Sequence, residues 1–343
     1  MGSDCTVVGA SFAGLASAYA LAQRGVSVTV LEKKRDTGDK LHTTGIIVKD
    51  AVDQIALLDA LPSALVRRIA GVRLYAPNLR SVDLAAPGYY FLATDTPGVL
   101  RWLAAQAESA GARVAYASVF KDARRSQSGF DLGELGTTRF LIGADGPHSR
   151  VARALSLGLS RRFLAGVGGV QAGLARRQGG DTFKPDAAMA AFLSKIKPVI
   201  DLTRLRPASV RAGLIPCGGV VSPVAASRAL LVGDAAGMVS PVTAGGIHTA
   251  LKHGLAAGNA VADFLEGRAE DPAGWFVRSY PKFRIKRLLR YAFDRFQSDL
   301  AFNLLLATRP MRAAAGIIYF HHKGVFDAAA ASTAVGEARG QGL

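Results

Sequence analysis

Cysteine is nearly absent from this sequence: its 343 residues include only Cys5 and Cys217. Two cysteines are too few for a disulfide framework or a cysteine-based metal site, and such sparse use is typical of a reducing compartment. No apolar run reaches the roughly 18 residues of a membrane-spanning helix, and no signal peptide precedes the first apolar segment. We therefore expect a cytoplasmic protein.

Acidic residues are also scarce, since 26 Asp and Glu stand against 42 Lys and Arg, a formal net charge of +16. Such a charge is compatible with a nucleic acid partner, an anionic membrane face, or a plainly basic soluble protein. No recognised nucleic-acid module accompanies the basic residues, so no nucleic acid partner is expected. The six histidines show no metal-ligand spacing, so no metal site is expected either.

The first 32 residues carry the strongest motif. An apolar segment at 4–8 is followed by Gly9, Gly14, a helix of small residues, a second apolar segment at 26–31, and Glu32. This order is typical of a dinucleotide-binding βαβ unit. Gly9 permits the sharp turn, and Gly14 lets the helix pack closely on the sheet. The N-terminus of the helix offers N–H groups to a pyrophosphate, and Glu32 is placed to accept hydrogen bonds from a ribose diol.

Two positions in this unit leave alternatives open. Ser11 stands at the middle glycine of the motif, where its Cβ narrows the approach of a phosphate but its hydroxyl offers a hydrogen bond. Lys33 and the two basic residues after it form either a solvated turn or a cationic rim beside a phosphate.

Two further apolar strands end in short acidic turns. Residues 140–143 lead into Asp145, and residues 229–232 lead into Asp234. An aspartate at the carboxyl end of a strand either points at a ligand in the crevice or caps the next helix. The second turn is followed by a glycine-containing loop at 241–247 and a long helix with apolar residues at helical spacing.

Other elements are predicted from periodicity and from turn residues. The predicted helices are Asp50–Leu61, Pro97–Ala110 and Asp186–Lys195. The predicted strands are Val72–Tyr75, Ser81–Leu84, Tyr89–Leu92, Arg113–Ala115, Val119–Ala123 and Phe130–Leu132, with a further strand inside Phe163–Leu174.

Together these motifs resemble the FAD-dependent oxidoreductases of the geranylgeranyl reductase family, within the p-hydroxybenzoate hydroxylase-like flavoproteins. The resemblance covers most of residues 4–265. It implies an α/β fold: a Rossmann-like FAD-binding domain of the glutathione reductase type, an inserted β-rich substrate domain, and a helical, basic, amphipathic C-terminal segment. The expected FAD-binding domain is discontinuous (1–70, 96–158 and 209–272), the reduced substrate domain comprises 71–95 and 159–208, and the C-terminal segment is 273–343.

The resemblance also implies roles for individual residues. The first glycine turn would hold the FAD pyrophosphate, Glu32 the adenosine ribose, and Asp234 the ribityl chain or the pyrophosphate. The loop at 42–45 and the amides at 245–247 would face the isoalloxazine, while Asp145 and Gly146 would shape the crevice. The predicted FAD-binding residues are Gly9, Ser11, Ala13, Gly14, Glu32, Lys33, His42, Thr43, Thr44, Gly45, Asp145, Gly146, Gly233, Asp234, Pro241, Thr243, Ala244, Gly245, Gly246 and Ile247.

The chain departs from the family pattern in two places. Thr96 stands where the hydroxylases carry an arginine at the start of a helix. The aromatic Gly-Tyr-x-x-Trp-x-x-Pro strand of the reductases, expected between Val167 and Gly173, is absent, and Trp102 and Trp275 are the only tryptophans. The substrate pocket therefore lacks a wall, is completed by a partner, or is non-functional.

The function implied is FAD-dependent reduction of carbon–carbon double bonds in an isoprenoid or other apolar, lipid-like substrate. The alternatives are a flavin monooxygenase or dehydrogenase of a small hydrophobic substrate, and a non-catalytic flavin-binding protein of the membrane surface. The candidate proton donors are His42 and Cys217, with a water held by Thr43 or Thr243 as an equal alternative. No second glycine-rich nucleotide motif is present, so NAD(P)H and ferredoxin both remain possible electron donors.

The C-terminal segment combines basic and apolar residues. Residues 275–312 contain nine Lys or Arg and two Asp, a net charge of +7. Apolar residues form a helical stripe, and 300–306 and 316–320 add further apolar surface. Such helices lie in the headgroup region of anionic membranes, so we expect peripheral association with the inner membrane face. The alternative is a basic helix packed on the flavin domain. The stripe consists of Ile285, Leu288, Leu289, Ala292 and Phe296.

Overall fold

The computed structural model describes residues 2–41, 43, 45–169, 172–174, 185–199, 210–296, 298–306 and 308–320. The predictions for His42 and Thr44 therefore lie outside the described residues. Its strands are β1 (Ser3–Val8), β2 (Val28–Leu31), β3 (Ile46–Val48), β4 (Val66–Ile69), β5 (Gly71–Tyr75), β6 (Ser81–Ala85), β7 (Phe91–Thr94), β8 (Arg113–Ala115), β9 (Arg124–Arg125), β10 (Phe130–Asp131), β11 (Thr137–Gly143), β12 (Phe163–Gly169), β13 (Ala172–Leu174), β14 (Val210–Pro216), β15 (Ala225–Ala226) and β16 (Ala229–Leu231).

Helices lie between the strands and form the last described part of the chain. They are α1 (Phe12–Gln23), α2 (Lys49–Gln54), α3 (Thr96–Ser109), α4 (Arg150–Ala154), α5 (Pro185–Ile196), α6 (Ile247–Leu265), α7 (Pro272–Trp275), α8 (Arg284–Arg295), α9 (Asp299–Leu305) and α10 (Arg309–Phe320). The predicted helices at 97–110 and 186–195 are confirmed as α3 and α5 to within one residue at each end, an ordinary difference at helix ends.

The central sheet has a parallel core in the order β16-β11-β1-β2-β8. Its inner strands are buried on both faces toward their carboxyl ends, as in β11, where Phe140, Leu141 and Ile142 are fully buried. This burial follows from helices on both sides of a parallel sheet. Strand β15 adds an antiparallel edge, and β10 and β9 extend β11 at its amino end. The predicted α/β fold is confirmed.

Helices α1 and α6 pack against each other at very short range. A methyl group at Gly254 would lie 2.5 Å from the carbonyl oxygen of Ala13, and one at Gly258 would lie 2.5 Å from that of Ser17. The Ser17 hydroxyl donates to the carbonyl oxygens of Ala13 and Gly254, both at 2.9 Å. Because the two glycines carry no side chain, the helix backbones approach closely and are held in one register.

Two smaller groups of strands are inserted into this domain. One comprises the antiparallel sheet β3-β7-β4 and the hairpin β5-β6, and the other is the sheet β13-β12-β14. The predicted hairpin at 72–84 is confirmed, and so is a strand inside 163–174. That strand, β12, pairs along its whole length with β14, so the backbone of this sheet forms without the aromatic motif of the reductases. The predicted boundary between residues 70 and 71 separates β3 and β4 from β7, although β7 pairs with both. The predicted domain boundaries stay a prediction.

Two predicted elements are wrong. The helix expected at 50–61 ends at Gln54, because Ile55 is extended and a 3-10 turn follows at 56–60. The strand expected at 119–123 does not form. The preceding amides of Ala117 and Ser118 donate instead to carbonyl oxygens of the loop that follows β2. The apolar residues Phe120 and Ala123 are nevertheless buried, so they fill the core without joining the sheet.

The C-terminal helices fold back onto the first insertion. Phe320 is fully buried, with its ring centroid 5.5 Å from that of Tyr89 and 5.7 Å from that of Phe91. The expectation that 316–320 adds apolar surface is therefore wrong for Phe320, although Ile317 is exposed. Within the described residues, no helix has both the length and the hydropathy needed to cross a membrane.

The contact between α1 and α6 gives a direct stability test. Replacing Gly254 by alanine should lower the free energy of unfolding by about 1–3 kcal/mol, because the methyl group meets a backbone oxygen and the helices must separate. The cost of the collision should exceed the roughly 1 kcal/mol by which alanine normally stabilises a helix relative to glycine. Urea unfolding followed by circular dichroism measures the change. Gly274→Ala is the control, since open space surrounds that position, and equal stabilities for both variants would refute the packing argument.

Candidate functional site

Four turns meet at one edge of the central sheet. Val8 pairs in register with Leu31 on one side and with Gly143 on the other, and Gly143 pairs in turn with Leu231. The four parallel strands therefore end at the same level. The Gly9 turn, Glu32, the Asp145 turn and the Gly233 turn follow these ends directly, at the edge where open α/β sheets bind ligands.

The first glycine turn is shaped by close backbone approaches. Gly9 has a φ of +105°, and a Cβ there would lie 2.4 Å from the carbonyl oxygen of Ala144. A Cβ at Gly14 would lie 2.0 Å from the carbonyl oxygen of Gly9. Ser11 precedes α1 with an extended backbone, is exposed, and makes no side-chain cap. The turn thus leaves the start of α1 at the edge of the sheet, with Ser11 exposed beside it.

Glu32 has a structural role that the sequence pattern does not reveal. Its side chain is buried, with the residue only 5% exposed. Oε2 accepts a hydrogen bond from the amide of Ala10 at 2.9 Å, and Oε1 accepts one from the amide of Lys34 at 2.9 Å. The carboxylate therefore ties β2 to the glycine turn. Each oxygen keeps a second acceptor position, which is where a ribose hydroxyl would bind.

The basic residues that follow Glu32 do not share one role. Lys33 is exposed. The Lys34 ammonium instead donates to the carbonyl oxygens of Thr37, at 3.1 Å, and Asp39, at 2.8 Å. Burial lowers the pKa of Lys34, and the nearby carboxylate of Glu32 opposes this change. Lys34 therefore shapes the loop, whereas Lys33 and Arg35 are exposed at the surface.

Asp145 combines both interpretations left open by the sequence. Its Oδ2 accepts hydrogen bonds from the amides of Arg150, at 2.6 Å, and Val151, at 3.2 Å, so it caps α4. Its Oδ1 is buried and has no hydrogen-bond partner among the described residues. A buried carboxylate oxygen without a partner is costly, and a bound ligand group would satisfy it. Gly146 follows with a φ of +85° and open space around its Cα.

The Gly233 turn brings the starts of α1 and α6 together. Gly233 has a φ of +58°, and a Cβ there would lie 2.9 Å from Cβ of Ala13. A Cβ on Gly246, at the start of α6, would lie 3.7 Å from Oδ1 of Asp234. Asp234 therefore stands between two helix N-termini, whose first N–H groups have no partner within their own helices.

The loop before α6 is held by its own hydrogen bonds. The amide of Ala244 donates to the carbonyl oxygen of Ser240, and the Ser240 amide donates to that of Gly245, both at 3.0 Å. The Thr243 hydroxyl accepts from the amide of Gly245 at 3.3 Å. Pro241 is buried, whereas Gly245 is exposed at the tip. The loop is therefore closed on itself and presents the start of α6, where Ile247 begins the helix.

The loop at 43–45 rests on the start of α3. The Thr94 hydroxyl and amide both donate to the carbonyl oxygen of Gly45, at 2.8 and 3.0 Å, and the Thr43 hydroxyl accepts from the Gly45 amide at 3.3 Å. Gly45 has a φ of +73°, and a Cβ there would collide with the Thr96 hydroxyl. Thr96 is fully buried. Thr96, which stands where the hydroxylases carry an arginine, thus supports this loop.

Cys217 lies with a different set of residues. It is buried at the end of β14 and lines a cavity of about 710 Å³ together with α8 and residues 161–163. Burial raises the pKa of the Cys217 thiol, and the nearby Arg290 opposes this change only in part. The thiol is therefore protonated at neutral pH. The four motif turns do not contribute to the lining of this cavity.

The residues at the sheet edge fit a dinucleotide with a pyrophosphate. Gly9 and Gly14 keep the turn tight, because side chains at either position would collide with backbone atoms. The starts of α1 and α6 supply N–H donors and positive dipole ends. Glu32 and the unpartnered oxygen of Asp145 supply acceptors for hydroxyl groups. Donors for phosphates and acceptors for sugars thus lie along one continuous edge.

Comparison with known proteins agrees with this geometry. A family model for an FAD binding domain matches residues 3–172. The chain is 27% identical to digeranylgeranylglycerophospholipid reductase 2 of Methanopyrus kandleri, over 81% of this chain and 81% of the relative.

Two solved structures show the same fold. A geranylgeranyl bacteriochlorophyll reductase-like protein from Thermoplasma acidophilum superposes with a TM-score of 0.76 at 16% identity, over 94% of this chain and 97% of that one. CabE, an aromatic hydroxylase from angucycline biosynthesis, superposes with a TM-score of 0.61 at 21% identity, over 92% and 76%. The chain is therefore an FAD-dependent oxidoreductase of the geranylgeranyl reductase type.

Proposed function

We propose that this protein reduces carbon–carbon double bonds in the isoprenoid chains of a lipid. The observation that carries the proposal is the alignment of four turns at one edge of the sheet. The same chain matches a lipid reductase over 81% of its own length and 81% of the relative's. Bound FAD would supply hydride transfer to carbon. The protein's own residues would bind that cofactor, orient the lipid and provide a proton.

In this proposal each motif holds one part of the cofactor. The start of α1 and the Ser11 hydroxyl hold the pyrophosphate, and Glu32 holds the adenosine ribose through its remaining acceptor positions. Asp234 holds the ribityl chain between the two helix N-termini. The positive end of α6, at Gly246 and Ile247, would face the ring system and favour negative charge there when FAD is bound. Lys33 and Gly146 line the edge without a contact that fixes them.

The proton is proposed to come through a hydroxyl-bound water. The Thr243 hydroxyl accepts a hydrogen bond from the amide of Gly245, which leaves its own proton to donate to a water near the start of α6. Cys217 is a protonated thiol, but it lines the separate cavity beside α8. Thr243 therefore replaces Cys217 as the preferred proton-relay residue in this proposal.

Replacing Glu32 by alanine should weaken FAD binding and also destabilise the turn. Hydrogen bonds to a charged group contribute about 1.5–3 kcal/mol, so the dissociation constant should rise by roughly tenfold or more. Titration of the apoprotein with FAD, followed by flavin fluorescence, measures it. Glu134→Ala is the matched control, because Glu134 is almost fully exposed and lies near the amino end of β11, opposite the end that leads into the Asp145 turn. Unchanged FAD binding by the Glu32 variant would contradict the assigned role.

The lipid reaction can be tested without knowing the natural electron donor. Anaerobic FAD-loaded protein reduced by dithionite should add hydrogen pairs to a polyprenyl lipid, seen by mass spectrometry as about 2 Da for each reduced double bond. Dithionite with apoprotein is the control. A product that forms only with oxygen and carries an added oxygen atom would replace the reductase with the monooxygenase. Unaltered lipid under both conditions would refute both.

We further propose that α8 and α9 bring the protein to an anionic membrane surface. Several large apolar side chains on these helices are exposed, led by Ile285 at 76% and Phe296 at 75%, with Leu289, Leu300 and Leu304 also exposed. They lie in a segment of net charge +7. Exposed apolar rows among cationic residues bind in the headgroup region of anionic bilayers.

Flotation with liposomes tests this association. The protein should float with anionic vesicles and much less with neutral ones, since each Lys or Arg near the surface contributes about 1 kcal/mol. The double variant Ile285→Asn and Phe296→Asn should reduce binding at least about tenfold, because burial of such side chains contributes about 1.5–3 kcal/mol each. The control is Tyr116→Asn with Val119→Asn, two exposed residues of another segment. Equal flotation with both lipids, or none with either, would reject the proposal.

A further inference from the structure

An arginine-rich cavity lies between α8 and the second inserted sheet. Its volume is about 710 Å³, within the usual range of small-molecule sites. One wall is formed by Arg161, Arg162 and Phe163 at the start of β12, another by Cys217 and Gly218 after β14. The Cys217 amide donates to the carbonyl oxygen of Arg162 at 3.0 Å, which holds these two walls together. The third wall is α8, which contributes Arg284, Arg287, Leu288, Arg290, Tyr291 and Asp294.

The cavity carries a large uncompensated positive charge. Its lining has five arginines and one acid, Asp294. That acid is paired with Arg290, with 3.0 Å between Nε and Oδ1. Among the described residues, the other four guanidinium groups form no ion pair with a carboxylate. Four like charges around one cavity repel each other, and a bound anion would remove that repulsion.

The fold brings these arginines together through specific contacts. Gly219 has a φ of +85°, and the Cδ of Arg287 lies 3.1 Å from where its Cβ would be. The absence of a side chain at Gly219 therefore lets α8 lie against this loop. Arg284, Arg287, Leu288 and Tyr291 follow helical i, i+3, i+4 and i+7 spacing, so they share one face of α8.

The lining indicates both the charge and the polarity of a ligand. Guanidinium groups bind phosphate oxygens through paired hydrogen bonds, which favours a phosphate over a single carboxylate in a site with several arginines. Phe163, Leu288 and Tyr291 add apolar surface beside the arginines. A free phosphate would use only the cationic part, whereas an amphiphile with a phosphate would use both.

The cavity also borders the cofactor edge. A Cβ at Gly237, at the end of the Asp234 turn, would lie 2.3 Å from the carbonyl oxygen of Gly219. On the other side, the ring of Phe163 lies 5.3 Å from that of His148, which follows the Asp145 turn. Gly219 and His148 thus connect the walls of the cavity to two of the four turns at the sheet edge.

We propose that this cavity binds the phosphate-bearing head group of an amphiphilic substrate, with Arg161, Arg284 and Arg287 as its anion-binding residues. This inference rests on the proposed lipid reductase function and assigns the head group to a site built by α8. The apolar chain would leave the cavity past Phe163 toward the cofactor edge.

Calorimetric titration of the FAD-loaded full-length protein tests the site without requiring catalysis. The probes are farnesyl monophosphate, farnesol and inorganic phosphate, all below micelle-forming concentrations. Farnesyl monophosphate should bind most tightly. Arg161→Gln and Arg287→Gln should each weaken its binding about tenfold and leave farnesol unchanged, since each removes one charge-assisted contact. Arg295→Gln is the control, because it removes the same charge from α8 without lining the cavity. Retained flavin and an unchanged circular dichroism spectrum verify the fold of each variant.

The outcomes separate the site from the reaction. Equal losses in the Arg295 variant, or equal affinity for farnesol and its phosphate, would overturn the site. Inorganic phosphate that binds as tightly as farnesyl monophosphate would overturn the assignment to an amphiphile. Arginine-dependent binding without reduction of any double bond would leave the site standing and refute the reductase function. Reduction of a prenyl phosphate with unchanged KM in both arginine variants would support the reductase function and refute the site.

Discussion

The close contact between α1 and α6 determines the geometry of the whole site. Gly254 meets the backbone of Ala13, which lies in the first turn of α1. The Ser17 hydroxyl bonds to both helices and fixes their register. Because each helix begins at the same sheet edge, this single contact sets the distance between two positive dipole ends. FAD with its pyrophosphate at the start of α1 and its ring system at the start of α6 would need that distance to be constant, and the two glycines keep it so.

In the proposed site, the Glu32 side chain serves both the fold and the ligand. Its two oxygens accept amides on either side of the edge, so the glycine turn keeps its shape without a cofactor. The remaining acceptor positions are then already oriented when a ribose arrives. Preorganisation of this kind reduces the ordering cost of binding. It also means that a ligand at the edge stabilises the folded protein, because the two depend on the same hydrogen bonds.

The sequence allowed the turns at the edge to be predicted, because each follows its strand within a few residues and parallel strands end at one level. Contacts between distant segments were not predictable in this way. The cap formed by Asp145 depends on where α4 begins, and the burial of Phe320 depends on Tyr89 and Phe91, more than 200 residues earlier. The arginine cavity likewise joins three distant segments, two of them basic and one the Cys217–Gly218 bend, and no local pattern shows that they meet. Local pattern thus identified the cofactor motifs, while tertiary packing decided the rest.

Helix α8 carries cationic and apolar side chains on different faces. Arg284 and Arg287 face the cavity, whereas Ile285 and Phe296 are exposed on the outside. A helix that only needed solubility would not expose large apolar side chains, and one that only packed on the domain would bury them. With the arginines on the cavity face and the apolar row on another, a lipid at the proposed membrane surface would meet the apolar row first and the arginines next. The same helix would then govern both where the protein sits and which lipid head group it admits.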